Sequence, residues 1–213
     1  MIENLLAVWN AESRSDTNAI IVPDGCRDLI FTSTVVERGK CFVSPLFDQA
    51  KVISVKAGSH MIGFRMKPGV HIEEKALLAS MPNNVADLSE ISHRLYDFTR
   101  RKHSVEDALD CLASDIGSIA NAAKQIGVSQ RSLQRLLIRE TGRPPIYWMM
   151  LARMRRASRM MLEPIPLIEI ADMNGYADQS HMNREFKRWL NITPSVLRNA
   201  PEIITQLNNS GYD

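Results

Sequence analysis

The sequence predicts an α+β multidomain protein: a β-rich N-terminal domain with trailing helices, followed by an all-α C-terminal domain. A chain of 213 residues is long enough for two such domains, each with its own core. Strand-like patterns fill roughly the first 70 residues, and helical periodicity prevails from Ser104 onward. Basic charge concentrated in the helical half is the third observation, and it predicts a domain with an anionic partner.

Two segments predict most of the strands. AIIVPDGCRDLIFTSTVV, residues 19–36, is rich in β-branched residues on both sides of a PDG turn. In KVISVKAGSHMIGFRMKPGV, residues 51–70, the side chains alternate, so that Ile62, Phe64 and Met66 share one face of a strand. Within it, KAGS is a predicted hairpin turn and KPG a predicted strand end.

Helical patterns follow the strands. EKALLASM, residues 74–81, predicts a short helix, and ADLSEISHRLYDFTRR, residues 86–101, predicts a longer one. The longer helix carries one apolar stripe, formed by Leu88, Ile91, Leu95 and Phe98. A charged link at residues 100–103 separates the two halves. We therefore expect domains at residues 1–103 and 104–199, and an acidic tail at residues 200–213.

The segment VSQRSLQRLLIRETG, residues 128–142, predicts a helix with one apolar and one polar face. Gly127 ends the preceding short helix, and Ser129 is suited to cap the new one. The apolar stripe consists of Leu133, Leu136 and Leu137, whereas Arg131, Gln134 and Arg135 lie largely off it. Arginine and glutamine can form paired hydrogen bonds with guanine or adenine in the major groove. The alternative is an ordinary solvated helix face.

A second copy of this pattern favours DNA recognition over the solvated face. After a basic linker helix predicted over residues 145–163, LIEIADMNGYADQSHMNREFKRWLNITP repeats the order of short apolar helix, glycine and polar-faced helix. In this copy Gly175 makes the turn, and Ala177 or Asp178 is the predicted cap. Two such copies predict two helix-turn-helix units joined by a linker helix.

The charge distribution points to the same half of the chain. Residues 1–117 contain 13 Lys/Arg and 16 Asp/Glu, whereas residues 118–198 contain 13 Lys/Arg and 6 Asp/Glu. The formal charge of the whole chain, +2, hides this difference. Eleven of the 13 basic residues in the second segment are arginines. An arginine-rich block of this kind favours contacts with phosphates and base edges.

Residues from about 104 to 198 resemble the DNA-binding domain of the AraC/XylS family of bacterial transcription regulators. Three stretches carry the resemblance: GVSQRSLQRLLIRETGRPP, RMRRASRMML and IEIADMNGYADQSHMNREFKRWLNITPSVLR. It implies that both recognition helices enter successive major grooves on one face of double-stranded DNA. Asn191 departs from the pattern, since glycine is usual before TP, but asparagine tolerates a left-handed backbone. The DNA-facing residues implied are Ser129, Gln130, Arg131, Gln134, Arg135, Arg139, Gln179, Ser180, Asn183, Arg184 and Lys187.

VPDGCRDLIF together with GFRMKPG resembles the short cupin-like sensor domain of some members of this family. The resemblance implies control by an effector, either a small molecule or a protein. We expect Ile62, Phe64 and Met66 to line a small apolar effector pocket. RNA polymerase and a second copy of the chain are further candidate partners.

Other chemistry finds little support in the sequence. The side chains that could bind a metal in the N-terminal half are Asp24, Cys26, Asp28, His60 and His71. They include no His-x-His pair, so no metal site is predicted. We expect Asp24 to stabilise its turn and Cys26 to lie in the core. Neither a G-x-S-x-G nucleophile turn nor a phosphate-binding glycine loop occurs, and no cofactor is predicted.

We therefore expect a transcription regulator and not an enzyme. Two alternatives stay open: a cupin-like small-molecule enzyme or ligand-binding protein whose helical half serves assembly, and a DNA reader whose N-terminal half docks a protein without binding a ligand. The three scattered cysteines are typical of reduced cytosolic thiols. With no secretory signal or apolar run of about 18 residues, we expect a cytoplasmic protein without a membrane span.

Overall fold

The computed structural model describes residues 3–34, 39–81, 88–114 and 118–212. The ends of two predicted elements, Val35 with Val36 and Ala86 with Asp87, lie outside the described residues. The N-terminal domain contains β1 (Leu5–Ser13), β2 (Thr17–Ile21), β3 (Asp28–Ser33), β4 (Lys40–Val43), β5 (Lys51–Val55), β6 (Ser59–Met66), β7 (His71–Ile72), α1 (Glu74–Ser80), α2 (Leu88–Phe98) and β8 (Thr99–Arg100).

The main sheet of this domain is antiparallel and has the strand order β1-β6-β3-β4. On one face of β6, Phe64 and Met66 are each 1% exposed and pack with Ile91 and Leu95 of α2. On the other face, the ring of Trp9 lies over Gly63, where a Cβ atom would be 2.1 Å from it. Glycine is therefore required at position 63 because the tryptophan ring occupies the side-chain space.

The KAGS segment does not form the predicted hairpin. β5 pairs with β2 in a separate two-stranded sheet, while β6 pairs with β1 and β3, so the turn at residues 56–59 connects two sheets. Gly58 has a φ of 74°, as a tight turn requires. The sequence therefore predicts the turn itself but not which strands it connects. The choice of partner strand depends on non-local burial, and most of β5 is exposed.

The C-terminal domain consists of two helix-turn-helix units on a central helix. Gly127 and Gly175 make the turns with φ of 72° and 68°, and a Cβ atom at either position would meet no further described residue within 4 Å, so these glycines serve the left-handed backbone alone. The helices are α3 (His103–Ala113), α4 (Ile119–Gln125), α5 (Gln130–Thr141), α6 (Pro145–Arg159), a 3-10 turn (Met160–Leu162), α7 (Leu167–Met173), α8 (Gln179–Leu190), α9 (Pro194–Leu197) and α10 (Pro201–Asn208).

Two expectations for this domain need correction. The predicted acidic tail forms α10, whose Ile203, Ile204 and Leu207 are buried in the C-terminal core. The amphipathic spacing of these three residues, and not the acidic charge of the segment, determines its structure. The regular part of the linker helix ends at Arg159, since residues 160–162 tighten into the 3-10 turn, and not at Glu163.

The two domains are packed together. Val22 belongs to the hydrophobic core of the C-terminal domain, and Ile20 and Leu46 pack against that core. Gly25, in the predicted PDG turn, has a φ of 76°, and a Cβ atom there would be 2.7 Å from Tyr212 Cβ and 3.1 Å from the Trp148 ring. Contacts with the N-terminal domain therefore reach the centre of the C-terminal domain directly.

Candidate DNA-binding surface

Helix α5 is positioned by its cap and its buried stripe. The Ser129 hydroxyl accepts a hydrogen bond from the Ser132 backbone N–H at 3.1 Å, as the sequence predicts. Leu133 and Leu137 are fully buried, and Gly142 ends the helix with a φ of 71°. Because this apolar stripe faces the core, the opposite face of the helix is turned towards solvent.

Helix α8 repeats this arrangement. Asp178 is its N-cap, and one carboxylate oxygen accepts a hydrogen bond from the His181 backbone N–H at 2.6 Å. Met182, Phe186 and Trp189 bury one side. Both helices have twelve residues. The structure therefore contains two matched helices, α5 and α8, hereafter called the reading helices because the sequence predicts that they read DNA.

Most of the predicted DNA-facing side chains lie on the exposed faces of these helices. Within the described part of the chain, the guanidinium groups of Arg131, Arg135 and Arg184 form no ion pair, so their charge is available to a ligand. Gln179 and Asn183 are half-buried, and Asn183 Oδ1 has no hydrogen-bond partner among the described residues. The exposed members of the predicted set are Ser129, Gln130, Arg131, Gln134, Arg135, Arg139, Ser180, Arg184 and Lys187.

Arg139 differs from the other predicted residues. It lies near the C-terminal end of α5, and its Nε is 2.6 Å from Glu140 Oε1, which also accepts a hydrogen bond from Lys102 Nζ at 2.7 Å. The hydrogen bonds from Lys102 and Arg139 hold the pKa of the Glu140 carboxyl below its ordinary value. Glu140 thus links the end of α5 to the start of α3 through Lys102, whereas Arg139 pairs within its own helix, and the contact of Arg139 with DNA stays a prediction.

Several arginines of α6 serve the domain itself. Arg155 is fully buried and donates a hydrogen bond to the Asn209 carbonyl at 2.8 Å, although the charge of its segment favours a position on the basic surface. Arg156 donates to the Ala113 carbonyl at 2.7 Å, and Arg153 lies 5.5 Å from the centre of the Tyr176 ring. The basic bias of this segment therefore overstates the charge available to DNA.

A partly buried ionic cluster at the domain boundary was missed by sequence reasoning. Arg65 on β6 pairs with Asp24 at 3.0 Å and with Asp28 at 3.2 Å, and the positive charge of Arg155 also acts on Asp24. Burial raises the pKa of the Asp24 carboxyl despite these cations. Arg155 lies four residues after the buried Leu151, so its place on the buried stripe was readable from the helical period.

Two of the residues weighed for a metal site, Asp24 and Cys26, have other roles. Asp24 Oδ1 accepts a hydrogen bond from the Cys26 N–H at 2.9 Å, so Asp24 serves the turn as predicted. Cys26 is 4% exposed, and burial raises the pKa of its thiol well above the usual range. Among the residues that the structure describes, no three His, Cys, Asp or Glu side chains are grouped to hold a metal ion.

The three residues of the predicted effector pocket have different surroundings. Phe64 packs edge-on against Phe31, with ring centres 6.1 Å apart, inside the N-terminal core. Ile62 lines a shallow depression with Val8 and Trp9, whereas Met66 lines a cleft of about 290 Å³ between the domains. The two depressions are distinct, and an effector pocket walled by these side chains stays a prediction.

The interdomain cleft has both apolar and charged walls. Its N-terminal side includes Arg27, Lys67 and His71, and its C-terminal side consists of the last residues of α5 and Gly142. Arg27 is paired with Glu74, and Arg139 with Glu140, while Lys67 forms no ion pair within the described part of the chain. The apolar lining comes from Leu46, Met66, Val70, Ile72 and Ile138.

Comparison with known proteins identifies the C-terminal domain. Residues 122–200 match the family model described as a helix-turn-helix domain. The HTH-type transcriptional regulator RipA of Corynebacterium glutamicum is 29% identical over 97 residues, which are 46% of this chain and 29% of that protein. The chain thus spans less than a third of this curated relative.

Comparison with solved structures gives matches to three further proteins. An AraC-type transcriptional regulator from Chromobacterium violaceum matches with 24% identity, a TM-score of 0.41, and coverage of 50% of this chain and 93% of that chain. The DNA-binding domain of AdpA, in complex with a target DNA, matches with 24% identity, a TM-score of 0.40, and coverage of 47% and 91%. ToxT of Vibrio cholerae, solved with an unsaturated fatty acid bound, matches with 12% identity, a TM-score of 0.47 and complete coverage of both chains.

The fold contains two helix-turn-helix units, and α5 and α8 each expose one polar face. Residues 122–200 therefore carry a helix-turn-helix domain, and the chain is similar over part of its length to an HTH-type transcriptional regulator. Within the described residues, none of the helices is both long enough and apolar enough to cross a membrane.

Proposed function

We propose that the chain is a sequence-specific transcription regulator whose reading helices α5 and α8 bind two neighbouring elements of double-stranded DNA. The matched pair of capped helices, each exposing arginine without an ion pair inside the described structure, carries this proposal. Arg131 and Gln134 lie in the first two turns of α5, where a recognition helix contacts base edges. Arg184 and Lys187 occupy the exposed face of α8 and are assigned to bases or phosphates.

A binding titration tests the proposal. DNA selected by the full chain from a random library is compared with shuffled DNA of equal length over a range of salt concentrations. If about 6–10 phosphates are contacted, the logarithm of the affinity falls with the logarithm of salt with a slope of about −5 to −9. Selected DNA should also bind at least ~1,000-fold more tightly than shuffled DNA. A chain without salt-dependent, sequence-selective binding would instead be an enzyme or a ligand-binding protein whose helical half serves assembly.

We further propose that an effector acts at the interdomain cleft. Lys67 offers a positive charge that is not neutralised by a described side chain, and the neighbouring Met66, Val70 and Ile138 offer an apolar wall. This combination suits a small organic anion with an apolar part. Because the cleft ends at the last turn of α5, a bound molecule there would contact a reading helix directly.

Thermal unfolding with simple anions tests the effector site. Benzoate and hexanoate, compared with sodium chloride at the same ionic strength, should raise the melting temperature of the unmodified chain and of Lys75→Ala, whose lysine is exposed on α1. Lys67→Ala should lose most of that increase. An equal increase in Lys67→Ala would mean that the anions bind without Lys67 and would contradict the proposed site. No increase in any chain would favour the alternative in which the N-terminal domain docks a protein. Two other partners are proposed. Reconstituted transcription tests RNA polymerase, and sedimentation on operator DNA tests a second copy of the chain.

A further inference from the structure

One short segment of the N-terminal domain contacts the place where the two helix-turn-helix units meet. Residues 44–50, hereafter the bridging segment, connect β4 to β5. At this place the first turn of α6 packs against the last turn of α8, with the ring centres of Tyr147 and Trp189 5.3 Å apart. The bridging segment forms hydrogen bonds with both Tyr147 and Trp189.

On the side of the first unit, the bridging segment is held by two residues that follow α5. Arg143, next to the Gly142 that ends α5, donates a hydrogen bond to the Leu46 carbonyl at 2.9 Å and pairs with Asp48 at 3.0 Å. The Tyr147 hydroxyl donates to the Phe47 carbonyl at 3.0 Å. Tyr147 is 7% exposed, so this hydrogen bond is largely protected from water.

On the side of the second unit, the bridging segment is held at the end of α8. The Ala50 backbone N–H donates to the Trp189 carbonyl at 2.6 Å. The Asn191 side-chain amide donates to the Ala50 carbonyl at 3.0 Å. The two sets of contacts lie only a few residues apart on one segment, so a displacement of that segment acts on both units together.

Asn191 directly follows the last residue of α8 and ends that helix. Its φ is 61°, a left-handed conformation that glycine adopts without the steric cost of a side chain. Among non-glycine residues with described conformations, it alone has positive φ. The side chain at this position is therefore not needed to end α8, and the contact it does make in the structure is the hydrogen bond to Ala50.

We propose that the bridging segment fixes the position of α8 relative to α5, with Tyr147 and Asn191 as positioning residues. The N-terminal domain thereby sets which spacing between two DNA elements the chain accepts. Reading helices must enter successive major grooves in register, so a change in their separation alters the preferred spacing before it abolishes binding to either element. This inference rests on the proposed reading of DNA by both helices.

The test uses the full chain and the DNA that it selects. Binding is measured on the selected site and on sites in which the distance between the two elements is changed by one or two base pairs. Asn191→Gly keeps the left-handed turn and removes the bond to Ala50, while Tyr147→Phe keeps the ring and removes the bond to Phe47. Asn199→Ala is the control, because in the described part of the chain the side-chain amide of Asn199 donates to the nearby Ser195 carbonyl and not to the bridging segment. Melting temperatures, measured in parallel, verify that each variant is folded.

We expect the control and the unmodified chain to share one spacing preference. In Asn191→Gly and Tyr147→Phe, the affinity for the best-spaced site divided by the affinity for a site of altered spacing should fall by about threefold or more. A ratio that stays unchanged in both variants, even if affinity changes uniformly at every spacing, overturns the role of the bridging segment. An unmodified chain that binds all spacings equally contradicts the double reading itself, so the two failures are distinguishable.

Discussion

At Arg131 the exposed guanidinium group lies one residue after the start of α5, without an ion pair inside the described structure. A base contact by this side chain is worth about 1–3 kcal/mol of discrimination against the wrong base pair. We therefore expect Arg131→Ala to lose about 1–3 kcal/mol on the selected site and to relax the preference at one or two base pairs. Titrations on selected and shuffled DNA measure both effects.

The matched control for Arg131 is Arg94→Ala on α2, whose side chain pairs with Glu90 in the N-terminal domain. It should bind DNA as the unmodified chain does. Equal weakening of Arg131→Ala on selected and shuffled DNA would leave this arginine only a phosphate contact.

A second residue-scale prediction concerns Glu140 and pH. Hydrogen bonds from Lys102 and Arg139 lower the pKa of its carboxyl in the folded chain, so the folded state binds fewer protons than the unfolded state. The stabilisation is complete above the ordinary carboxyl range and is lost as the pH falls through the lowered pKa. Glu140→Gln should therefore be less stable than the unmodified chain by about 1.5 kcal/mol at pH 7.

The difference between the unmodified chain and Glu140→Gln should shrink as the pH is lowered from 7 to 3. Urea unfolding of both proteins across that range measures it. A stability difference that stays constant with pH would show that charge on this carboxylate does not contribute to the link between α3 and α5.

At the scale of single elements, the caps of the reading helices determine where exposed side chains begin. Asp178 satisfies a backbone N–H at the start of α8, and removing a cap costs about 0.5–2 kcal/mol. Asp178→Ala should lose stability in that range, whereas Asp178→Asn, which keeps a capping oxygen, should lose little. Urea unfolding distinguishes them, and equal losses in both variants would mean that the carboxylate charge, not the cap, supports the helix.

Elements governed by local chemistry were predictable from the sequence. The reading helices followed from predicted caps at Ser129 and at Ala177 or Asp178, of which the structure uses Asp178, together with apolar stripes and the turns at Gly127 and Gly175. The pairing of β5 with β2 was not predictable, because it depends on burial across distant parts of the chain. Likewise, α10 was hidden by the acidic character of its segment, although its apolar residues pack into the core.

The candidate site was predictable in its type but not in its details. Exposed Arg131 and Arg184 agree with the expected faces of two helices, because amphipathic spacing fixes which side of a helix is solvated. Other details depend on contacts between elements and domains, which residue spacing does not specify. They are the burial of Arg155, the partial burial of Asn183 and the position of the cleft at Met66. The bridging segment has no motif, since its backbone carbonyls and N–H groups make most of its contacts.

At the scale of the whole molecule, α6 determines how far apart the reading helices lie. Its fifteen residues span about 22 Å at about 1.5 Å per residue. Successive major grooves on one face of DNA are ~34 Å apart, so the offsets of α5 and α8 from the ends of α6 must supply the remainder. Trp148, Leu151 and Met154 are fully buried and hold α6 in place, and the packed N-terminal domain adds the bridging segment.

Hydroxyl-radical footprinting of the full chain on its selected DNA, at one chain per site, tests whether both units read DNA together. We expect two short, non-identical protected elements about 10 base pairs apart on the same face of the duplex, without internal symmetry. Protection of a single element, or of two elements on opposite faces, would contradict the reading of DNA by both α5 and α8.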